Sequence, residues 1–420
     1  MATIKPFAAL RPNPRQAARI CELPYDVLSA DEACGFAAGN PSSFFHVSRP
    51  EVDLPPGTDI HAPEVYAKGR ENFQKLIRDG ALKQDLQPCF YLYRQIMGKH
   101  SQTGLVAAAS CEEYLRGVIK KHELTRVDKE DDRVRHIEAL DAQTGPVFLA
   151  HRAGNVLDKF IAKKVSRRPD VDFTAADGVR HTSWTVSDAE EIKFIEQTFT
   201  AIQQLYIADG HHRSAAAARV FQNRKGAGGS GFFLAVIFPH DRMQILPYNR
   251  VLKDLNGWMP EQVMEILGAA FAISPDAPPE LARRHEFGFY MRGKWHALAF
   301  REKFLRLDNP DENLKAENAR KKQSPVESFD VTLLQEHILK PVFRIDDPRT
   351  SDRIHFVGGI RGTAELEKLV DSGEYACAFS MFPTGMDDLM AVADAGEIMP
   401  PKSTWFEPKL RDAMFCHMIA

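Results

Sequence analysis

The stretch Leu205-Tyr206-Ile207-Ala208-Asp209-Gly210-His211-His212-Arg213 decides the fold of this 420-residue chain. Its first residues form a short apolar run of strand formers, which predicts a buried strand. Gly210 permits a tight turn and a close approach of the backbone to a ligand. The alanine-rich segment 214–219 that follows favours a helix. The stretch therefore predicts a strand, a turn and a helix, with a carboxylate, two imidazoles and a guanidinium where the helix begins.

This predicted helix start has the features of an anion-binding site. A helix N-terminus has free N–H groups and a partial positive charge, which suit it to a phosphate. The alternative is that Asp209 only caps the helix and that His211, His212 and Arg213 form a solvated first turn. We favour the functional interpretation because a cap needs one polar residue, whereas four follow this apolar strand. Arg213 also lies where the helix dipole disfavours a cation, which suggests an anion that offsets it.

A second polar cluster follows a shorter apolar segment. Val118 and Ile119 predict a strand, and His122 and Glu123 follow its end, where α/β sites usually lie. A carboxylate beside an imidazole can act as a general base. Three more candidates for phosphate binding come next, Thr125, Lys129 and Arg133. The last two are one helical turn apart and can point at one anion. The alternative is that residues 120–138, which are rich in charges, form only a solvated helix.

A third cluster lies near the C-terminus. Pro400 and Pro401 predict an extended backbone, and a lysine and two hydroxyls follow at once, Lys402, Ser403 and Thr404. A lysine can supply charge to a phosphate while hydroxyls supply hydrogen bonds. The alternative is an ordinary loop held by its prolines.

Composition limits the classes of function. The net charge of −3 offers no electrostatic case for nucleic acid. The six cysteines are scattered without a C-x-x-C pair, which fits reduced thiols. The N-terminus shows no signal peptide, and no apolar run is long enough to span a membrane. We therefore expect a cytoplasmic protein that binds neither nucleic acid nor a membrane.

Together these motifs resemble the family called domain of unknown function 1015. The chain has D-G-H-H-R at 209–213, H-E-x-T followed by K-x-x-D-R at 122–133, P-Y-D-V at 24–27 and P-P-K-S-T at 400–404. It departs at 247–250, where the family usually has P-T-H-R and this chain has P-Y-N-R. Asn249 stands where the family usually has its histidine, while Arg250 is kept as a phosphate-binding candidate. The family resembles the free serine kinases and, more remotely, the ParB and sulfiredoxin proteins.

The resemblance implies an α/β fold of the α+β type with a mixed sheet. We expect a ParB/sulfiredoxin-like core over 111–257 that contains the D-G-H-H-R motif. The core is elaborated by an N-terminal α+β region over 1–110, a smaller α+β insertion over 258–345 and a C-terminal segment over 346–420 that completes the site.

The resemblance also implies nucleotide-dependent phosphoryl transfer to a small hydroxylated metabolite, with free L-serine as the preferred acceptor. ATP or ADP would donate the phosphoryl group, and Asp209 would hold Mg²⁺ or orient the acceptor. Glu123, Asp209 and His212 are the catalytic candidates. The phosphate-binding candidates are His122, Thr125, Lys129, Arg133, Gly210, His211, Arg213, Arg250, Lys402, Ser403 and Thr404. Weaker candidates for substrate binding are Tyr25, Asp26, His181 and Trp184, and for Trp184 core packing is the favoured alternative.

Two other functions remain open at this stage. A phosphatase or phosphohydrolase would use the same residues with water as the acceptor. A nucleotide-binding switch of the ParB type would change conformation without a reaction. The His122–Glu123 pair favours an enzyme, because a carboxylate beside phosphates repels them and a pure binder does not need it.

Overall fold

The computed structural model describes residues 1–152, 154–281, 283–301 and 324–420. Part of the predicted 258–345 insertion, residues 302–323, therefore lies outside the described residues. The strands, in chain order, are β1 Ile4–Lys5, β2 Leu10–Pro12, β3 Leu82–Gln84, β4 Phe90–Met97, β5 His100–Ser110, β6 Ile119–Lys120, β7 Ala142–Gln143, β8 Val147–His151, β9 Val171–Thr174, β10 Arg180–Val186, β11 Leu205–Asp209, β12 Phe232–Pro239, β13 Gln244–Leu246, β14 Tyr248–Leu252, β15 Phe271–Pro275, β16 Glu286–Met291, β17 Lys294–Phe300, β18 Ile354–Gly358, β19 Cys377–Met381, β20 Trp405–Glu407 and β21 His417–Met418.

The described helices lie between these strands along the chain, four of them between β2 and β3. They are α1 Ala17–Ile20, α2 Ala30–Ala37, α3 Phe45–Ser48, α4 Pro63–Arg78, α5 Cys111–Leu115, α6 Val127–Leu140, α7 Asn155–Val165, α8 Ala189–Thr200, α9 His211–Arg224, α10 Pro260–Ala270, α11 Asp330–Leu334, α12 Ala364–Asp371 and α13 Met386–Ala395. Short 3-10 turns cover Pro50–Asp53, His240–Arg242, Pro325–Ser328 and Gly359–Arg361, and a π-helical turn covers Gln335–Leu339. None of the described helices has both the length and the apolar character needed to cross a membrane.

The chain forms two compact units. The first contains Met1–Gln244 and Pro408–Ala420, and the second contains Ile245–Glu407. The sequence predicts the end of the core at residue 257, and the boundary between the two units falls after residue 244. The last residues return to the first unit, where β21 pairs with β7 and Cys416 exchanges backbone hydrogen bonds with Leu10.

The first unit is built on a nine-stranded sheet. Its order is β6-β11-β8-β12-β5-β4-β10-β9, with β1 paired to β5. The pairs β6–β11 and β8–β12 are parallel, and the remaining pairs are antiparallel. This mixed sheet with its helices confirms the predicted α/β class of the α+β type. The second unit has an antiparallel six-stranded sheet in the order β15-β17-β16-β19-β14-β18.

The central strand, turn and helix occur where the sequence predicts them. β11 is buried from Leu205 to Ala208, and α9 begins directly after Gly210. Ala215, Ala217 and Ala218 of α9 pack in the main core against the sheet, while Ala216 packs in a second cluster with α6. Because alanine has a small side chain, α9 fits between the sheet and α6 and is buried on both sides.

Candidate functional site

Two parallel strands bring the first two polar clusters to one edge of the sheet in the first unit. Leu205 of β11 pairs with Ile119 of β6, and Tyr206 pairs with Lys120. Both strands run in the same direction, so the residues that follow their ends meet at the same edge. His122 and Glu123 therefore lie beside the start of α9, as the aromatic contact between the His122 and His211 rings shows.

Gly210 makes the sharp turn between strand and helix. Its φ of 93° lies in the left-handed region that glycine adopts without strain. A Cβ atom at this position would lie 3.3 Å from the Val147 Cα, so the neighbouring strand also leaves little room for a side chain. The N-cap residue of α9 is Gly210, which has no side chain that could cap the helix. The first N–H groups of α9 thus face the same edge as the two clusters, in the arrangement that favours an anion.

Asp209 lies in an ion pair that sequence motifs did not indicate. Its Oδ2 accepts a hydrogen bond from Lys409 Nζ at 2.8 Å, and its Oδ1 accepts one from the Gly210 N–H at 2.8 Å. Burial alone raises the pKa of Asp209, but the charges of Lys409 and Arg213 outweigh this effect and lower the pKa. Asp209 is therefore a carboxylate at neutral pH, and both of its oxygens are engaged.

His122, Glu123 and His211 form a compact group at this edge. The two imidazole rings meet edge to face with centroids 4.4 Å apart, and His211 Nδ1 lies 3.8 Å from Glu123 Oε2. Burial lowers the pKa of His122 to about 4 and also lowers the pKa of His211 well below its usual value. Both imidazoles are therefore neutral at pH 7. The Glu123 side chain keeps 47% of its surface exposed and is accessible to a ligand.

His212 contacts the segment that immediately precedes α6. Its Nε2 accepts a hydrogen bond of 3.1 Å from the Arg126 N–H, the backbone donor immediately before α6. Because Nε2 is the acceptor, the proton of the neutral ring is on Nδ1. His212 thus ties the loop after Glu123 to the first turn of α9.

Arg213 is offset by carboxylates of the protein. Its Nη1 donates to the Pro146 carbonyl at 2.6 Å, and its Nη2 lies 3.6 Å from Asp26 Oδ1. Burial opposes its charge, but Asp26, Asp209 and Asp412 together raise its pKa. These three carboxylates therefore supply negative charge of the kind that the helix dipole led us to expect near Arg213.

Arg213 also lines a small cavity of about 30 Å³, room for a water or two. Tyr25, Arg133 and Asp412 share its wall. Burial raises the pKa of Asp412 to about 7 although Arg213 opposes the shift, and its Oδ1 has no hydrogen-bond partner among the described residues. A Cβ atom at Gly145 would collide with this oxygen, so the cavity requires glycine there.

The candidates around α6 have different environments. Arg133 donates two hydrogen bonds to Asp132 Oδ2 and lies 3.8 Å above the centre of the Tyr25 ring. The Thr125 hydroxyl donates to Glu130. Lys129 lies close enough to His212 to lower its pKa, although burial is the larger cause. α6 is thus amphipathic and half-buried, and Arg133 points inward to Asp132 and Tyr25.

His181 and Trp184 lie in the core of the first unit. The Tyr93 hydroxyl is 2.7 Å from His181 Nδ1, and Arg411 Nε donates to His181 Nε2 at 3.1 Å. Trp184 Nε1 donates to the Arg167 carbonyl at 2.9 Å, and its ring is 3% exposed. The polar atoms of both side chains are therefore occupied by the protein, in agreement with the packing alternative for Trp184.

The remaining phosphate-binding candidates belong to the second unit. Arg250 is buried, and it donates to the carbonyls of Tyr248 and Lys402. Lys402 Nζ lies 5.3 Å from the centre of the Tyr248 ring, and the Ser403 hydroxyl donates to the Pro400 carbonyl at 2.6 Å. Thr404 follows directly on the chain. These contacts bring Arg250 and Lys402 together, and their role at a nucleotide stays a prediction.

Sequence reasoning missed Lys409 and Asp412. Lys409 lies in the same C-terminal segment as the predicted Lys402, but it is Lys409 that pairs with Asp209. The only available signal was the Pro408–Lys409 pair at the end of the C-terminal motif. Nothing in the sequence singled out Asp412 as a site residue, because a single acidic residue in a loop is common.

Comparison with solved structures finds similar chains at low identity. A conserved hypothetical protein from Pyrococcus furiosus is 15% identical, with 73% of this chain and 93% of that chain covered and a TM-score of 0.34. A variant of free serine kinase in complex with AMP is 14% identical, with 72% and 87% covered and a TM-score of 0.36. SbnI with a C-terminal truncation, from Staphylococcus aureus, is 10% identical, with 73% and 85% covered and a TM-score of 0.37.

The curated proteins contain no significant match to this chain. A family model does match, and it spans residues 4–332, which include the His122–Glu123 cluster and the D-G-H-H-R motif. The chain therefore belongs to the family described as Protein of unknown function (DUF1015).

Proposed function

We propose that this protein binds a nucleotide and transfers its terminal phosphoryl group to a hydroxyl of a small metabolite, with L-serine as the first acceptor to test. One observation carries the proposal: β6 and β11 place the exposed Glu123 carboxylate beside the N-terminus of α9, whose N-cap residue is glycine. A helix N-terminus binds phosphate, and a carboxylate can accept a proton, so one edge of the sheet offers both functions that the reaction needs.

The roles follow from exposure and charge. Glu123 accepts the proton of the acceptor hydroxyl, the hydroxyl oxygen bonds to the terminal phosphorus, and the bond from phosphorus to the bridging oxygen breaks. The nucleotide keeps the electron pair of that bond. The N–H groups of His211, His212 and Arg213 at the start of α9 stabilise the phosphoryl oxygens.

The proposed Mg²⁺ at Asp209 fits the structure poorly. Lys409 Nζ and the Gly210 N–H already engage the two carboxylate oxygens. An ion that prefers several oxygen ligands would have to displace the lysine. We therefore give Asp209 an orienting role, in which it holds Lys409 and the Gly210 turn, and derive no step from magnesium.

Calorimetric titration tests the proposal. The protein is titrated with ADP, ATP and CTP in the presence of Mg²⁺, each with and without L-serine, and phosphoserine is assayed in the same samples. Adenine nucleotides come first because the free serine kinase structures contain AMP or ADP. Glu123→Gln should lower turnover by roughly 100-fold or more while nucleotide still binds.

Glu138→Gln is the matched control, because Glu138 is an exposed glutamate of α6 whose described contact is with Asn223. Nucleotide binding without turnover for any acceptor would instead support the switch. Release of phosphate without an acceptor would support the phosphohydrolase. Absence of nucleotide binding would refute the proposal.

A further inference from the structure

His122, Glu123 and His211 form a group of metal-ligating side chains. One potential ligand atom from each residue lies within 4.8 Å of the other two, and the structure describes no other group of this kind. The three residues come from two parts of the chain, because His122 and Glu123 follow β6 and His211 begins α9. Their proximity is therefore a product of the fold and not of sequence adjacency alone.

The two imidazoles have buried nitrogens that the protein does not satisfy. His122 is 2% exposed and His211 is 5% exposed. Both ring nitrogens of His122 and the Nε2 of His211 lack a hydrogen-bond partner among the described residues. The Ile207 carbonyl is near the His122 ring and favours the charged form of that ring. Its position does not satisfy the geometry of a hydrogen bond to either ring nitrogen. Because an unpaired buried polar group is destabilising, three such atoms in one place point to a missing ligand.

We propose that His122, His211 and Glu123 bind a divalent transition-metal ion such as Zn²⁺. Two imidazoles and one carboxylate are a donor set that zinc accepts, with a fourth position left for water or substrate. Mg²⁺ prefers oxygen ligands and does not suit two imidazoles.

The surroundings of the group suit this role. In tetrahedral zinc sites the ligand atoms lie about 3.3 Å apart, so ion binding would draw these side chains closer together. Glu123 can make this movement because nearly half of its side-chain surface is exposed. The Ile207 carbonyl near His122 can accept the N–H of the ring nitrogen that does not ligate, as is usual for metal-bound histidine.

The metal site does not depend on the proposed phosphoryl transfer. If the protein both binds the metal and transfers a phosphoryl group, Glu123 can ligate the ion through one carboxylate oxygen and accept a proton on the other. The ion would then add positive charge at the edge where a phosphate or an acceptor hydroxyl binds. Metal binding is measured without nucleotide, so its failure would leave the proposed function untouched, and the reverse also holds.

The experiment uses the full chain after removal of metal by a chelator. Zn²⁺ alone is titrated in competition with a chromophoric chelator, and Co²⁺ is added separately to record its visible absorption. We expect one ion per chain and the absorption of tetrahedral cobalt. His211→Gln and Glu123→Gln should each weaken Zn²⁺ binding by roughly tenfold or more. Mg²⁺ at the same concentration should not compete.

The control is His417→Gln. His417, on β21, is also a buried histidine, but its ring contacts the Gly229 carbonyl. It should leave the affinity for Zn²⁺ unchanged. If His211→Gln prevents folding, the exposed Glu123→Gln variant still tests the site. Equal Zn²⁺ affinity in the parent, Glu123→Gln and any folded His211→Gln protein would overturn the proposal, as would the absence of Zn²⁺ binding to the parent.

Discussion

At the scale of single residues, the ion pair between Lys409 and Asp209 is central to the candidate site. The two side chains are 11% and 30% exposed, so the pair is partly shielded from water. Lys409 neutralises the carboxylate whose Oδ1 holds the Gly210 turn. The pair therefore links the C-terminal segment to the start of α9.

Lys409→Met should lower the free energy of unfolding by about 1–3 kcal/mol, because Asp209 then keeps a partly buried charge without its cation. Urea unfolding of the parent and the variant measures this difference. Lys409→Arg retains the charge and should cost less. A double-mutant cycle with Asp209→Asn gives the control, since Lys409→Met should have little effect once the carboxylate is gone. Equal costs in both backgrounds would show that the ion pair is not the cause.

The sequence predicted one member of this pair and missed the other. Asp209, Gly210 and His211 were predictable because the strand, the turn and the helix lie in one continuous stretch. Lys409 lies 200 residues further on, and no local pattern connects it to Asp209. A tertiary ion pair between distant positions cannot be inferred from spacing or periodicity.

At the scale of elements, α6 shows how burial changes the meaning of a charged sequence. Its sequence is rich in charges, yet Asp132, His136 and Ile137 are buried. His136 Nε2 lies 2.9 Å from the Val47 carbonyl, and Arg133 and Asp132 are the charged groups that act on it. Burial lowers the pKa of His136 to about 4, with a further contribution from Arg133.

His136 should make the protein less stable in mild acid. The unfolded chain binds a proton at His136 below its ordinary pKa of about 6.5, whereas the folded protein does so only near pH 4. Its contribution to stability is thus complete above pH 6.5 and is lost as the pH falls towards 4, by up to about 1.4 kcal/mol per pH unit.

His136→Gln should remove this component of the acid sensitivity. Glutamine can still donate to the Val47 carbonyl but does not titrate. Urea unfolding of both proteins at a series of pH values from 7.5 to 4.5 measures the effect, and the difference at pH 7.5 gives the packing cost of the substitution. The two stability curves should converge as the pH falls. Curves that stay parallel over this range would contradict the assignment.

The elements themselves were largely predictable, and their pairing was not. The strand from 205, the helix after 210 and the buried strand from Phe232 appear where apolar pattern and propensity indicate them. β6, by contrast, has only two residues and is held by its parallel pairing with β11. Such a short strand has almost no local signal, although it is the element that delivers His122 and Glu123 to the site.

At the scale of the whole molecule, the C-terminus belongs to the unit that begins the chain. The sequence predicts a C-terminal region over 346–420, whereas the contacts divide that region at residue 407. Leu410 and most residues from Ala413 to Ile419 are buried in the first unit. Composition does not mark this return, because apolar residues and prolines occur on both sides of residue 407.

Phe415 can be used to test whether the C-terminal segment packs in the first unit. It is fully buried, and its ring centre lies 5.1 Å from that of Tyr91 and 5.8 Å from that of Tyr93. Both tyrosines lie on β4, an interior strand of the nine-stranded sheet between β5 and β10. The C-terminal segment therefore packs directly on β4 of the first unit.

Phe415→Ala should destabilise the first unit by about 3–5 kcal/mol, because it removes a buried aromatic ring and leaves a cavity. Hydrogen–deuterium exchange by mass spectrometry should show faster exchange in peptides that cover β4, and urea unfolding gives the total cost. Leu86→Ala is the control, since Leu86 is an apolar residue of the same unit that is fully exposed and should change stability by less than about 0.5 kcal/mol. If exchange in β4 stayed at the parental rate while Phe415→Ala lowered stability elsewhere, the C-terminal segment would not support the sheet. The position of Lys409 beside Asp209 would then need another explanation, because the same segment carries both residues.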